Sequence, residues 1–183
     1  MRAVELFAST MRRGVVVAFA MGVAGCSAPA VGAHESVVLA APAGDPVRFA
    51  FETLEGKPLT SESLRGRITV IALLATYDLH SQAEARFLSS IARRHTPRLN
   101  GVGLILEAAE NRPMAEAFTA ALKLPYPVAL ADEATIAGEG AFPGLHNVPS
   151  VVILDRDGRE VYRHVGLIEE APLDEAIRAA ERR

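Results

Sequence analysis

Cysteine is nearly missing from this chain. Of its 183 residues only Cys26 carries a thiol, so neither an intrachain disulfide nor a cysteine-based metal cluster is possible. Tryptophan is absent and aromatic residues amount to 5%, so the core has to be aliphatic. There is no excess of positive charge: the formal net charge is −3 and no basic run occurs, which excludes the electrostatic footprint of a nucleic-acid binder. The apolar stretch at 15–24 is too short to span a bilayer comfortably, since a crossing helix takes about 20 residues. What is present, 50% apolar and 22% charged residues, is ordinary for one globular domain behind an N-terminal extension.

That extension has the layout of a secretory signal. Arg2, Arg12 and Arg13 give a positive start, the apolar stretch follows, and Ala24 and Gly25 supply small residues before a cut. Val23-Ala24-Gly25-Cys26 resembles the bacterial lipobox, in which cleavage leaves a lipidated cysteine as the first residue. The expected organisation is therefore a lipoprotein signal at 1–25, a lipidated Cys26 with a flexible tether at 26–45, and a folded domain at 46–183. Met11, followed by Arg12 and Arg13, would also make a good start, so either methionine can begin the chain. Removing 1–25 takes away three Arg and one Glu, which moves the net charge from −3 to −5. An acidic body has no affinity of its own for anionic lipid, so the acyl chains would hold it at the membrane. The implied location is the bacterial cell envelope, lipid-anchored and facing the periplasm or exterior. Ser27, where an aspartate would favour inner-membrane retention, points towards an outer membrane.

The stretch ITVIALLATYDLHSQAEARFL, beginning at Ile68, organises the rest. Its first seven residues read as a strand buried on both faces. A polar turn at 75–80 follows, then apolar residues at helical spacing: Ala83, Phe87, Leu88 and Ile91. Asp78 stands where the helix should begin, where a carboxylate accepts from free N–H groups and meets the positive end of the dipole.

This strand–turn–helix resembles that of thioredoxin-like proteins of the TlpA/ResA type, which carry W-A-T-W-C-x-x-C-R-x-E there. Ala75, Thr76, the aromatic Tyr77 and Glu84 match, while Asp78 and Ser81 occupy the two cysteine positions. Two further segments carry the same resemblance. The lead-in at 47–66, with Gly56-Lys57-Pro58 and Arg65-Gly66-Arg67, is similar to that of TlpA-like and peroxiredoxin-like domains. Val148-Pro149-Ser150 looks like the cis-proline loop that faces the CxxC turn, and it precedes two strands joined by Asp155-Arg156-Asp157-Gly158. The resemblance implies a three-layer α/β/α sandwich. Its mixed central sheet would have about five strands, ending in a C-terminal β-hairpin and a helix.

Other elements follow from pattern alone. Val47, Phe49 and Phe51 alternate as in a half-buried strand, and 102–106 reads as a second buried strand. Asn111 should cap a helix whose apolar face is Met114, Ala117, Phe118, Ala121 and Leu122. The last helix should turn Leu173, Ile177 and Ala180 inward. The segment 27–45 reads as a tether, within which 37–39 has the composition of a short edge strand.

Dithiol exchange needs two sulfurs, so no catalytic residue is assigned and no enzyme activity is expected. Glu84 matches a glutamate that, by the resemblance, lies close to the cysteines and influences their titration; without thiols it should be solvated or bonded to backbone. Asp78, His80 and His146 make a conceivable carboxylate–imidazole metal set, but His80 reads as a solvated residue, and neither a metal nor a cofactor is assigned. His95 and His164 read as structural. The remaining possibility is a binding groove between the turn and the proline loop, with Tyr77, Leu79, His80, Glu84 and His146 lining it and Val148 and Pro149 forming its far wall. In this family such a groove holds extended polypeptide. The sequence thus points to a non-redox module binding an envelope protein or extended peptide. The competing readings are a thiol–disulfide oxidoreductase or peroxiredoxin-like antioxidant protein, and a metal-handling envelope protein.

Overall fold

The run ITVIALL is fully buried because its alternate side chains feed two separate cores. The computed structural model describes residues 37–39 and 44–182. Along them lie β1 (Val37–Leu39), β2 (Ala50–Glu52), β3 (Pro58–Thr60), β4 (Ile68–Leu74), α1 (Leu79–His95), β5 (Leu99–Ile105) and α2 (Arg112–Leu122). They continue as β6 (Val128–Leu130), α3 (Glu133–Ile136), β7 (Ser150–Leu154), β8 (Glu160–Val165) and α4 (Glu170–Glu181). The expected signal at 1–25, Cys26 and most of the tether lie outside the described residues. No helix among those described is long and apolar enough to cross a membrane.

The main sheet has the order β1-β8-β7-β4-β5-β6, with β4, β5 and β6 parallel, β7 antiparallel to β4 and β8 antiparallel to β7. Five of these strands match the expected mixed sheet. The sixth, β1, comes from within the stretch read as tether and pairs antiparallel with β8, Val38 opposite His164.

Val70, Ala72 and Leu74 face a core shared with α1, α2 and α4, through Leu88, Ile91, Phe118, Leu173 and Ile177. Ile71 and Leu73 face the other core, closed by Leu59 of the β2–β3 hairpin and by Phe142 and Leu145 of the loop before β7. The lead-in alternation at 47–54 forms only a three-residue strand, paired with β3. The second buried strand starts at Leu99, three residues earlier than its apolar run suggests.

Two helical faces differ from expectation. On α1, Leu88 and Ile91 are in the core, but Ala83 and Phe87 are half-buried at its margin. The inward stripe instead includes Ser81, Glu84 and Ser89, each of which finds a partner within the protein. On α2 only Ala115 and Phe118 are buried; Met114, Ala117 and Ala121 face outward. Asn111 precedes α2 but does not cap it with its side chain, whose amide donates to Glu107 instead. The last helix buries Leu173, Ile177 and Ala180 as its spacing predicts.

Candidate functional site

The C-terminal end of β4 leads through a turn at 75–78 into α1, and the polar groups of that turn close on one another. Asp78, in extended backbone conformation, accepts from the Ser81 N–H at 2.7 Å and from the Ser81 hydroxyl at 2.8 Å through the same oxygen, Oδ2. The Ser81 hydroxyl in turn accepts from the Ala75 N–H at 3.0 Å. Ser81 is completely buried, so its hydroxyl is structural and out of reach as a nucleophile. The other carboxylate oxygen lies 3.5 Å from Nδ1 of His80, which is half exposed. Partial burial works to raise the Asp78 pKa. The hydrogen bonds from Ser81 and the His80 backbone outweigh it, so the carboxyl is held below its ordinary value.

A residue not singled out in the sequence fixes the other side of this turn. Glu107, just beyond β5 and almost fully buried, accepts from the Thr76 N–H at 2.5 Å and from the Asn111 side-chain amide at 3.1 Å. Its only sequence signal is a charged residue directly after a buried strand, at the sheet end where the turn lies.

The register of β4 and β7 sets Leu73 opposite Ser150, so the loop that precedes β7 emerges beside the turn that follows β4. The Val148–Pro149 bond is cis, as is Thr96–Pro97 at the far end of α1. The Pro149 carbonyl accepts from Gly166 N–H at 2.9 Å, and the Ser150 hydroxyl donates to the Asn147 carbonyl at 2.7 Å. Arg163 pairs with Glu160 through two bonds, 2.5 and 2.7 Å, and donates to the Pro143 carbonyl at 2.6 Å, fastening the approach to this loop. Val148 itself, partly exposed, makes no backbone hydrogen bond to any described residue. Its N–H and carbonyl are thus not engaged by the described backbone.

Tyr77 and Leu79 flank Asp78 and are among the most exposed large apolar side chains, at 78% and 76%. His146 is exposed and lies over Gly138, where an added Cβ would come within 3.3 Å of its ring. Among the described residues no three His, Cys, Asp or Glu side chains gather as a metal would need, so Asp78, His80 and His146 do not form a common site.

Glu84 does not line the groove. It is completely buried, one oxygen accepting from the Ile168 N–H at 3.0 Å and the other without a hydrogen-bond partner among the described residues. Burial pushes its pKa up to about 7, opposed only by the Ile168 bond. The nearby Tyr126 phenol is likewise shifted upward, chiefly by burial, and donates to the Ala85 carbonyl at 2.9 Å. His95 bonds Asp174 at 2.8 Å and so ties α1 to α4, while His164 is buried on β8.

An opening of about 490 Å³ is lined by Thr53, Lys57, Pro125 and their neighbours. It lies towards the N-terminal ends of the parallel strands. Open α/β sheets bind their ligands at the other end, where the turn after β4 and the loop before β7 emerge side by side.

No family model matches the chain, and no curated protein matches it. Solved structures do. A thiol:disulfide interchange protein of the thioredoxin family from Chlorobium tepidum is 23% identical, with a TM-score of 0.66, covering 78% of this chain and 99% of its own. A secreted Mycobacterium tuberculosis disulfide oxidoreductase homologous to E. coli DsbE is 22% identical, with a TM-score of 0.59 over 73% of this chain and 96% of its own. StoA from Bacillus subtilis is 20% identical at the same TM-score, covering 74% of this chain and 98% of its own. The fold is thioredoxin-like. At these identities the likeness extends to the scaffold, and the chemistry has to be read from the residues present. In this thioredoxin-like chain a carboxylate and a buried hydroxyl occupy the helix start, bonded to each other.

Proposed function

We propose that this protein is a non-redox thioredoxin-like module of the bacterial cell envelope, anchored through a lipid on Cys26, that binds an extended segment of an envelope protein. The observation that carries the reading is the pairing of an unused backbone edge at Val148 with exposed Tyr77 and Leu79 beside a turn closed by Asp78 and Ser81. An extended peptide gains main-chain hydrogen bonds from such an edge and apolar contact from the rim. Dithiol exchange has no pair of sulfhydryls to work with, since Cys26 is the single cysteine of the chain and this reading assigns it to the anchor. The secreted location of one structural neighbour agrees with an envelope protein.

A direct test uses a reduced and carboxymethylated polypeptide, which cannot exchange disulfides. Wild-type protein should bind it, and the surface variants Leu79→Asp and Tyr77→Ser should bind it at least about tenfold more weakly. Equal binding by all three would remove the groove from the account.

The second reading, a thiol–disulfide oxidoreductase, is favoured by the names of the structural neighbours. It requires that the chain reduce insulin disulfides with Cys26 replaced by serine. We expect no reduction, and partial activity after Asp78→Cys with Ser81→Cys.

A further inference from the structure

The outward face of α2 has a consequence for binding. Met114, Ala117 and Ala121 stand exposed, and with Phe118 and Leu122 they wall a cleft of about 200 Å³ whose other side is Thr76 and Gln82. The cleft includes Thr76, next to Tyr77 on the groove rim, and lies between α1 and α2. Its walls are predominantly apolar, with Met114 supplying an adaptable, polarizable edge. At this size it falls below the ~300–1,000 Å³ of sites for cofactors and drug-sized ligands, but it accommodates one large side chain.

Charge selects the neighbour of that side chain. Gln82, Arg86 and Arg93 lie on one stripe of α1, at i, i+4 and i+11. Arg93 shows which way the stripe faces, since its guanidinium donates to the Lys123 carbonyl at the end of α2. Arg86, between the two, is exposed and forms no ion pair with any described residue. The cleft is thus apolar inside, and Arg86 stands one turn of α1 beyond Gln82 of its wall, without an ion pair to any described residue.

We infer that this cleft is a side-chain subsite for the extended polypeptide of the groove reading, on which the inference rests: it takes one aliphatic side chain, and Arg86 takes an acidic residue beside it. A strand seated on Val148 directs alternate side chains to the protein, and the apolar cleft next to Thr76 receives one of them. Side-chain identity is read here, whereas the groove reads only extended backbone.

The test is selection of a randomised seven-residue peptide library on the full chain, followed by titration of one selected peptide. Ala121→Glu, Arg86→Glu and Leu79→Asp all change exposed positions and should leave the circular dichroism spectrum unchanged. Selected peptides should share an aliphatic residue at fixed spacing from Asp or Glu. Replacing the aliphatic residue by alanine, or Ala121 by Glu in the protein, should weaken binding about tenfold or more. Arg86→Glu should weaken the acidic peptide and restore affinity for its lysine counterpart.

Equal binding to wild type and Ala121→Glu, or indifference to the charge exchange, would overturn the subsite. Loss with Leu79→Asp but not with Ala121→Glu would leave groove binding standing alone. Loss with Ala121→Glu but not with Leu79→Asp would remove the groove, and with it the subsite as part of a groove-bound strand, leaving only an independent side-chain cleft. A library that selects nothing would overturn both.

Discussion

Asp78 holds Ser81 twice, through the backbone N–H at 2.7 Å and the hydroxyl at 2.8 Å, with one carboxylate oxygen. The cap and the buried side chain are therefore one unit. Asp78→Ala should destabilise the domain by about 0.5–2 kcal/mol in urea unfolding, the usual cost of losing a helix cap. Asp78→Asn should keep most of the cap.

The same pair predicts a pH dependence. Burial favours protonation of Asp78, but the bonds from Ser81 and His80 win and depress its pKa from the ordinary 3.8. A depressed carboxyl contributes stability above its unfolded pKa that is lost as pH falls through the folded one. Wild type should therefore lose stability below pH 3.8 by an amount that Asp78→Asn does not show.

Glu84 should behave in the opposite sense. Its folded pKa is raised by burial from 4.5 to about 7, so the native state keeps a proton that the unfolded chain has released. Its contribution is fully present below pH 4.5 and declines as pH rises to 7. Glu84→Gln, which can still accept from Ile168, should flatten unfolding free energy over that window. At pH 8 it should be more stable than wild type by up to about 3 kcal/mol.

Glu107 is the acceptor of the Thr76 N–H. Glu107→Ala leaves that donor and the Asn111 amide without a partner, at a cost of about 1–3 kcal/mol. Exchange of the Thr76 amide with solvent should accelerate in this variant and remain slow in Glu107→Gln.

How much of this was legible in the sequence varied with the kind of signal. The buried strand at 68–74, the inward stripe Leu173–Ile177–Ala180 and the cap at Asp78 each follow from local pattern, because period and capping chemistry are local. The face of α2 was not legible. Its alanines at 115, 117, 120 and 121 carry little apolar weight, and Phe118 fits either stripe, so packing against the sheet chose the side. Glu107 meets Thr76 across 31 residues and β1 meets β8 across more than a hundred, and nothing in either short segment encodes its partner. Glu84 illustrates the same limit: a glutamate on a helix reads as solvated or backbone-bonded, and only the fold sets Ile168 against it.

Exposure separates stability from binding. Ile177, completely buried between α4 and the sheet, should cost about 2–5 kcal/mol when changed to alanine. Leu79→Ser, at a position 76% exposed, should change stability by less than about 0.5 kcal/mol while weakening peptide capture.

The central claim is that extended polypeptide lies between the Asp78 turn and the Val148–Pro149 loop, without electron transfer. The most direct measurement is an amide chemical-shift titration of the protein with a carboxymethylated polypeptide. The account predicts perturbations concentrated at 76–80 and at Val148, saturating together. Perturbations confined to the opening around Thr53, Lys57 and Pro125, or none at all, would contradict it.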